Sequence, residues 1–288
     1  MSLPSTIAIL GPGLLGGSMA LALKQASSGS RIHIWGRREE AVAEINARGL
    51  ADFSSTDINA VCKGADLVIL CTPVETMASL ASKVAQSELA EGCVITDVGS
   101  VKTSVVSSLE TVFAKGPAQF IGSHPMAGSE RAGLEAARAD LFQKATCIIT
   151  PTLFSSDQAL ATVRAFWTAL GCQLLEMSPE EHDRKIARIS HLPHLVAAAV
   201  TMAALHRDPS AAECVGNGFR DATRIAAGDP DLWTGIVLQN RAEIIPALAD
   251  ARHAISELLA MVEEVDEKTL RRFLGDAKSL RDQVPASA

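Results

Sequence analysis

Gly11, Gly13 and Gly16 stand in the order G-x-G-x-x-G, after the apolar segment Ile7-Ala8-Ile9-Leu10 and before a helical pattern from Leu14 to Ala26. Each glycine has its own task. The first permits a tight turn, the second lets backbone approach a pyrophosphate, and the third lets the helix pack on the strand. The helix that opens there offers unpaired N–H groups and the positive end of its dipole to phosphate. His124 is the leading candidate for acid/base chemistry, because an imidazole titrates near neutral pH. It follows a buried strand and enters a turn held by Pro125 and Gly128. Ser100 follows the strand Val94 to Asp97 near a helix start, where it can cap that helix or face a ligand. Arg224, close to Asp221, suits a substrate carboxylate through bidentate hydrogen bonds, whereas Arg220 reads as a structural partner of Asp221. His191 and His194 lie three apart on one helix face; with no third ligand nearby, they read as a structural or substrate-contacting pair.

The elements that must position these residues alternate between strand and helix. Strands are expected at Arg31 to Trp35, Leu67 to Cys71, Val94 to Asp97, Phe120 to Gly122 and Thr146 to Thr150, with a helix from Glu75 to Val84 and another that Val98-Gly99-Ser100-Val101-Lys102 opens and that runs to about Lys115. Leu67 to Cys71 is an unbroken apolar run, as a strand buried on both faces requires. That alternation predicts an α/β, Rossmann-type, doubly wound parallel sheet, whose ligands bind at the carboxyl ends of the strands. After a helix from Asp157 to Leu170 and a strand from Gln173 to Met177, only helices are expected. Ser178-Pro179-Glu180-Glu181 starts them, with Ser at the N-cap and Pro at the first helical position. The expected division is a dinucleotide-binding domain at 1–177 and an all-α domain at 178–288. Leu195 to Leu205 is apolar nearly all round, so it must be buried on all sides, and a second subunit is expected to help. A long helix from Asp231 to about Leu259, kinked or broken at Pro246, and another from Glu267 to Leu280 complete the chain.

The expected cofactor-binding residues are Gly11, Gly13, Leu14, Leu15 and Gly16 in the loop, Thr72 and Pro73 after the Leu67 strand, and Gly36, Arg37 and Arg38 after the second strand. At that last position this fold usually has an acidic residue that binds the ribose hydroxyls. Glycine makes room there and two guanidinium groups suit a 2′-phosphate, so NADP is expected over NAD.

The chain has 288 residues, 48% of them apolar, and a net charge of -7. This length accommodates two domains, and the charge argues against nucleic-acid binding. No unbroken apolar run of membrane-spanning length and no signal peptide are read, and six scattered cysteines without C-x-x-C suit a reducing cytoplasm rather than disulfides or zinc. There is no tyrosine, which excludes a phenol as proton donor.

Taken together, five segments resemble the prephenate/arogenate dehydrogenase family of tyrosine biosynthesis: residues 11–18, Asp97-Val98-Gly99-Ser100-Val101-Lys102, Gly122 to Glu130, Ser190-His191-Leu192-Pro193-His194, and Gly218 to Arg224. The resemblance covers nearly the whole chain. It implies a Rossmann domain followed by a helical domain that forms a homodimer, with His124 as catalytic histidine and Ser100 bonded to it or to the substrate hydroxyl. It further implies that His194 and Arg224 contact substrate, that Ser129, Glu130 and Asp221 line or order the pocket, and that Trp233 matches a nearby family tryptophan. Glu130 is a candidate partner for the ammonium that distinguishes arogenate from prephenate. Two alternatives stand beside this reading: a β-hydroxyacid dehydrogenase, for which Lys185 is the only lysine available on the long helix, and a dinucleotide-binding regulatory protein without turnover.

Overall fold

The computed structural model describes residues 3–128, 131 and 133–284; Ser129 and Glu130 lie outside the described residues. Two compact units are formed, Met1–Asn240 and Arg241–Ala288.

The first unit is built on β1 (Thr6–Leu10), α1 (Leu14–Gln25), β2 (Arg31–Trp35), α2 (Glu39–Ala47), β3 (Phe53–Ser55), α3 (Ile58–Cys62), β4 (Leu67–Leu70), α4 (Val74–Val84), β5 (Val94–Asp97), α5 (Thr103–Phe113), β6 (Gln119–Pro125), β7 (Thr146–Thr150), α6 (Asp157–Ala169) and β8 (Gln173–Glu176). The sheet order is β3-β2-β1-β4-β5-β6-β7-β8. Because side chains alternate across a strand, the central strands feed two cores. Ile7 and Ile9 of β1 pack in one with Met19, Leu23, Phe166 and Trp167. Ala8 and Leu10 pack in the other with Met77, Leu80 and Leu109.

Three features depart from the sequence-based expectation. The sheet is not wholly parallel, because β6 and β7 pair antiparallel. A parallel return needs a crossover, usually helical, and among the described residues between β6 and β7, which include Gly128 and Gly133, the one helical element is a short 3-10 turn at Leu134–Ala136. The sheet is also wider than expected, since β3, a three-residue strand with an exposed Phe53 and half-buried Ser54 and Ser55, extends the β2 edge. His124 lies within β6, not beyond it.

The unit continues with α7 (Pro179–Ile186), a π-helical turn (Ala187–His191), α8 (Leu192–Leu205), α9 (Asn217–Thr223), a 3-10 turn (Arg224–Ala227) and α10 (Pro230–Gln239). The Ser178 side chain accepts a hydrogen bond from the Glu181 N–H and Pro179 takes the first turn, as expected. From Pro179 to Leu205 the helix is continuous for 27 residues and is long and apolar enough, by length and composition alone, to cross a membrane. Its buried His182, Asp183 and His191 side chains are bonded to other parts of the same unit, as described below. The expected burial of residues 195–205 is not met within this chain. Of these, Ala197 is buried, whereas Val200 and Met202 are 42% and 57% exposed. One chain supplies too little apolar surface to enclose a helix that is apolar all round.

The second unit comprises α11 (Arg241–Glu263) and α12 (Glu267–Asp282). The expected helix from Asp231 to about Leu259 is two helices, and its break is not at Pro246. The interruption falls between Gln239 and Arg241, and Pro246 lies inside α11 near its start, where few carbonyls precede the proline ring.

Candidate active site

Between β1 and β4 the chain direction across the sheet reverses, and the crevice at the carboxyl ends of those strands is where α/β sheets bind ligands. The glycine loop sits there. Gly11 has φ +119°, and a Cβ on it would stand 2.6 Å from the Cys71 carbonyl oxygen. A Cβ on Gly16 would stand 2.1 Å from the Gly11 oxygen, whereas one on Gly13 meets nothing within 4 Å. The first and third glycines thus serve the protein's own packing, and the second faces open space at the start of α1. No side chain caps α1 and no acidic residue lies in its first turn, so its N-terminal N–H groups and dipole remain available to an anion. These features fit a dinucleotide pyrophosphate. Leu14 and Leu15 open α1, half-buried; half-buried Thr72 and exposed Pro73 border the loop after β4.

Gly36, Arg37 and Arg38 follow β2, next to the loop: the Gly11 N–H donates to the Trp35 carbonyl at 3.1 Å. Both arginines are exposed. The neighbouring carboxylate of Glu39 accepts from the Thr56 hydroxyl at 2.9 Å.

The edge formed by β5 and β6 is polar and dry. Lys102 and Asp97 form an ion pair with both side chains completely buried. Asp97 also accepts from the Gly99 N–H at 2.8 Å and the Ser123 N–H at 3.1 Å. Ser123 in turn donates to the Asp97 carbonyl at 2.6 Å and accepts from the Trp167 indole at 3.0 Å. These bonds pin the two strand ends together and hold the backbone that carries His124.

His124 is only 8% exposed. Its Nδ1 lies 2.9 Å from Nε2 of His182, a completely buried residue of α7. Burial lowers the His124 pKa well below that of a free histidine, with His182, Lys102 and His191 adding to the effect; the ring is neutral at pH 7 and ready to accept a proton. His182 Nδ1 lies 2.8 Å from Oδ1 of Asp183. Burial pushes the Asp183 carboxyl up, but hydrogen bonds from His182 and from the N–H groups of Lys102 and Thr103 outweigh it and hold its pKa below the usual carboxylate range.

Ser100 does not cap α5. The N-cap is Lys102, and Asp183, distant in sequence, takes the Lys102 and Thr103 N–H groups at 2.7 and 2.8 Å. Ser100 is therefore left half-exposed at the carboxyl end of β5. Among the described residues the hydrogen-bond partner of the His124 ring is His182, not Ser100.

A second group of rings forms on the helices. His194 stacks on Trp233 of α10 at 3.4 Å with an interplanar angle of 12°, and His191 meets the same indole edge-on at 6.2 Å. Asn240 ties this group to the first, through Nδ2 donating to the Asp183 carbonyl at 3.0 Å and lying 3.2 Å from His191 Nδ1. Burial lowers His191 to about 4, against the opposing pull of Asp183. Among the described residues, Nδ1 of His194 is buried without a hydrogen-bond partner, as expected of a site that meets a polar ligand. Asp221 on α9 and Arg224 just after it are exposed, on segments that pack against α8, the helix carrying His194. His182, Asp183 and Asn240 were absent from the sequence-derived set. Their only local signal is the adjacency of His182 and Asp183 at a helix start, and nothing in their spacing points to His124.

A glycine loop at the switch point of a doubly wound sheet and a buried neutral imidazole at a nearby strand end define a dinucleotide-dependent oxidoreductase. Residues 19–176 match the family of the prephenate dehydrogenase nucleotide-binding domain, and residues 178–276 match its dimerization domain. The chain is 37% identical to the prephenate dehydrogenase of Bacillus subtilis (strain 168) over 97% of its own length and 76% of that protein's. The crystal structure of the prephenate dehydrogenase of Aquifex aeolicus, in complex with hydroxyphenyl propionate and NAD+, superposes with a TM-score of 0.88 at 30% identity, covering 98% of each chain. Synechocystis arogenate dehydrogenase gives a TM-score of 0.81 at 28% identity, covering 97% of this chain and 100% of that one. The chain belongs to the prephenate dehydrogenase family. That membership sets aside the β-hydroxyacid dehydrogenase and the non-catalytic alternatives.

Proposed function

We propose that this dehydrogenase oxidatively decarboxylates prephenate or arogenate, with His124 as the base. The observation that carries the reading is a neutral, nearly buried imidazole at the carboxyl end of a strand in the sheet that holds the glycine loop. The bound nicotinamide supplies the hydride acceptor. His124 removes the proton of the ring hydroxyl as hydride leaves the carbinol carbon, and the ring becomes a dienone. Loss of carbon dioxide sends its electron pair into the ring, which becomes aromatic, and the proton held by His124 returns to the phenolate oxygen. Ser100 orients the substrate hydroxyl, Arg224 holds a carboxylate, and His194, stacked on Trp233, offers its buried nitrogen to the substrate. Asp221 orders the pocket, as do Ser129 and Glu130, and Glu130 is the candidate partner of the arogenate ammonium. Steady-state assays with prephenate and arogenate, each with NAD and NADP, test the reading; turnover of neither substrate overturns it.

NADP is the expected cofactor. Gly36 offers no carboxylate against a 2′-phosphate, the Glu39 carboxylate is engaged with Thr56, and exposed Arg37 and Arg38 supply positive charge. Losing one charge-assisted contact costs about 1.5–3 kcal/mol, or roughly ten- to a hundredfold in affinity. Arg37→Ala should therefore lower kcat/KM for NADP by that factor and leave NAD nearly unchanged. A wild-type enzyme that already favours NAD overturns the assignment.

A homodimer in the cytoplasm is the expected assembly. Exposed apolar residues support it on α8 (Met202, 57%) and, within the second unit, on α11 and α12 (Leu259, 57%; Leu280, 67%), since apolar surface of this extent is usually covered. Light scattering at micromolar concentration should give twice the chain mass, and a stable monomer counts decisively against the dimer.

A further inference from the structure

His124 works as a base only if the nitrogen facing the site carries a lone pair, so its tautomer decides whether it works. The buried groups behind it dictate that tautomer. Asp183 accepts from the Lys102 and Thr103 N–H groups, which are fixed donors; an ionised carboxylate accepts only. His182 Nδ1, 2.8 Å away, must then carry a proton. Burial keeps His182 neutral, so its Nε2 bears a lone pair. That lone pair faces His124 Nδ1 at 2.9 Å, so Nδ1 must donate. In the neutral His124 ring, Nε2 is then the bare nitrogen.

We propose that His182 and Asp183 are positioning residues that hold His124 in its Nδ1–H tautomer, present Nε2 to the substrate hydroxyl, and stabilise the imidazolium formed when the proton arrives. This rests on the reading of His124 as the base. The proton moves from the substrate oxygen to Nε2, and Nδ1–H stays in place, bonded to His182. The negative charge of Asp183 lies at the far end of the chain. Among the described residues, the other charged and titratable groups around His124 are Lys102 with its partner Asp97, from the β5–α5 edge, and His191, from the π turn.

The test combines ring-nitrogen NMR with kinetics on the full-length protein. In the free, ¹⁵N-histidine-labelled enzyme, His124, identified by its loss in His124→Asn, should show a protonated Nδ1 and a bare Nε2. The opposite tautomer overturns the proposal. His182→Leu removes the acceptor and should lower kcat by about a hundredfold or more with KM little changed. It should also move the acidic limb of kcat/KM to lower pH, because the imidazolium loses its partner. His182→Gln restores an acceptor for Nδ1–H and a donor to Asp183, and should recover at least about tenfold of that loss. A purely structural pair would lower the melting temperature and leave the limb and the tautomer unmoved; that result overturns the proposal even if His182→Leu folds poorly, because the wild-type and Gln spectra still report. The expected tautomer together with near-normal turnover of His124→Asn would refute the base assignment itself, and with it any catalytic role for the pair, a result distinct from failure of the chain.

Discussion

His124→Asn is expected to bind cofactor and substrate and to lose nearly all turnover. Hydride departure from the carbinol carbon leaves a protonated carbonyl unless a base takes the proton in step, and a positioned imidazole contributes roughly 10²–10⁴ in rate. Asparagine keeps hydrogen-bonding capacity at similar size but cannot take the proton. The fall should therefore appear in kcat, whereas Arg224→Ala, which weakens the grip on a carboxylate, should chiefly raise KM. The pH dependence has a definite sign. The base must be neutral and its pKa is lowered by burial and by neighbouring His182, Lys102 and His191, so activity should hold through pH 6.5 and fall only as pH drops further. In His124→Asn the acidic limb should vanish from whatever rate remains. Near-normal kcat in a folded His124→Asn protein would remove His124 from the mechanism and make His194 the next candidate.

The second large effect is on stability. Asp97→Ala should leave the Lys102 ammonium buried with no counter-charge, since both side chains are completely buried. Breaking such a pair by removing one partner costs about 3–5 kcal/mol. At roughly 2–4 °C per kcal/mol for a unit of this size, the melting temperature should fall by about 6–20 °C. The loss includes the Ser123 and Gly99 N–H groups, which lose their acceptor. Replacing both members, as in Asp97→Asn with Lys102→Met, removes the stranded charge and should recover a substantial part of the loss. A melting temperature within 2 °C of wild type in Asp97→Ala would show that the pair contributes little.

The buried histidines add a pH term of the same origin. His124, His182, His191 and His194 all have lowered pKa values in the folded protein, so the unfolded chain binds more protons as pH falls below about 6.5. Stability from these groups is constant above that pH and declines toward the His191 value of about 4. Denaturant midpoints measured between pH 8 and pH 4 should show this decline, and His191→Asn should flatten part of it.

Much of this protein is local, and what is local was legible in the sequence. The glycine loop, the continuous apolar strands of the sheet core, the Ser178-Pro179 helix start and the position of His124 at a strand end depend on residues within a few places of each other: backbone freedom, alternation and capping are short-range effects. The five spaced segments also carried the family, because together they are far more specific than a glycine loop alone. Sequence pattern could not provide what depends on where distant segments meet. The antiparallel β6–β7 pair depends on how the connection between the two strands turns back. The cap of α5 comes from Asp183, across 80 residues or more, which is why Ser100, a good cap by sequence, is left half-exposed. The burial of Lys102 depends on a carboxylate five residues away and on the strands that enclose them both. The His124–His182–Asp183 chain joins β6 to a helix 58 residues on, and nothing in the spacing of the two histidines points from one to the other. Spacing along the chain conveys which face a residue takes on its own element. Which groups share a dry space, and so which proton sits on which nitrogen, is decided when α7 packs against α5 and β7.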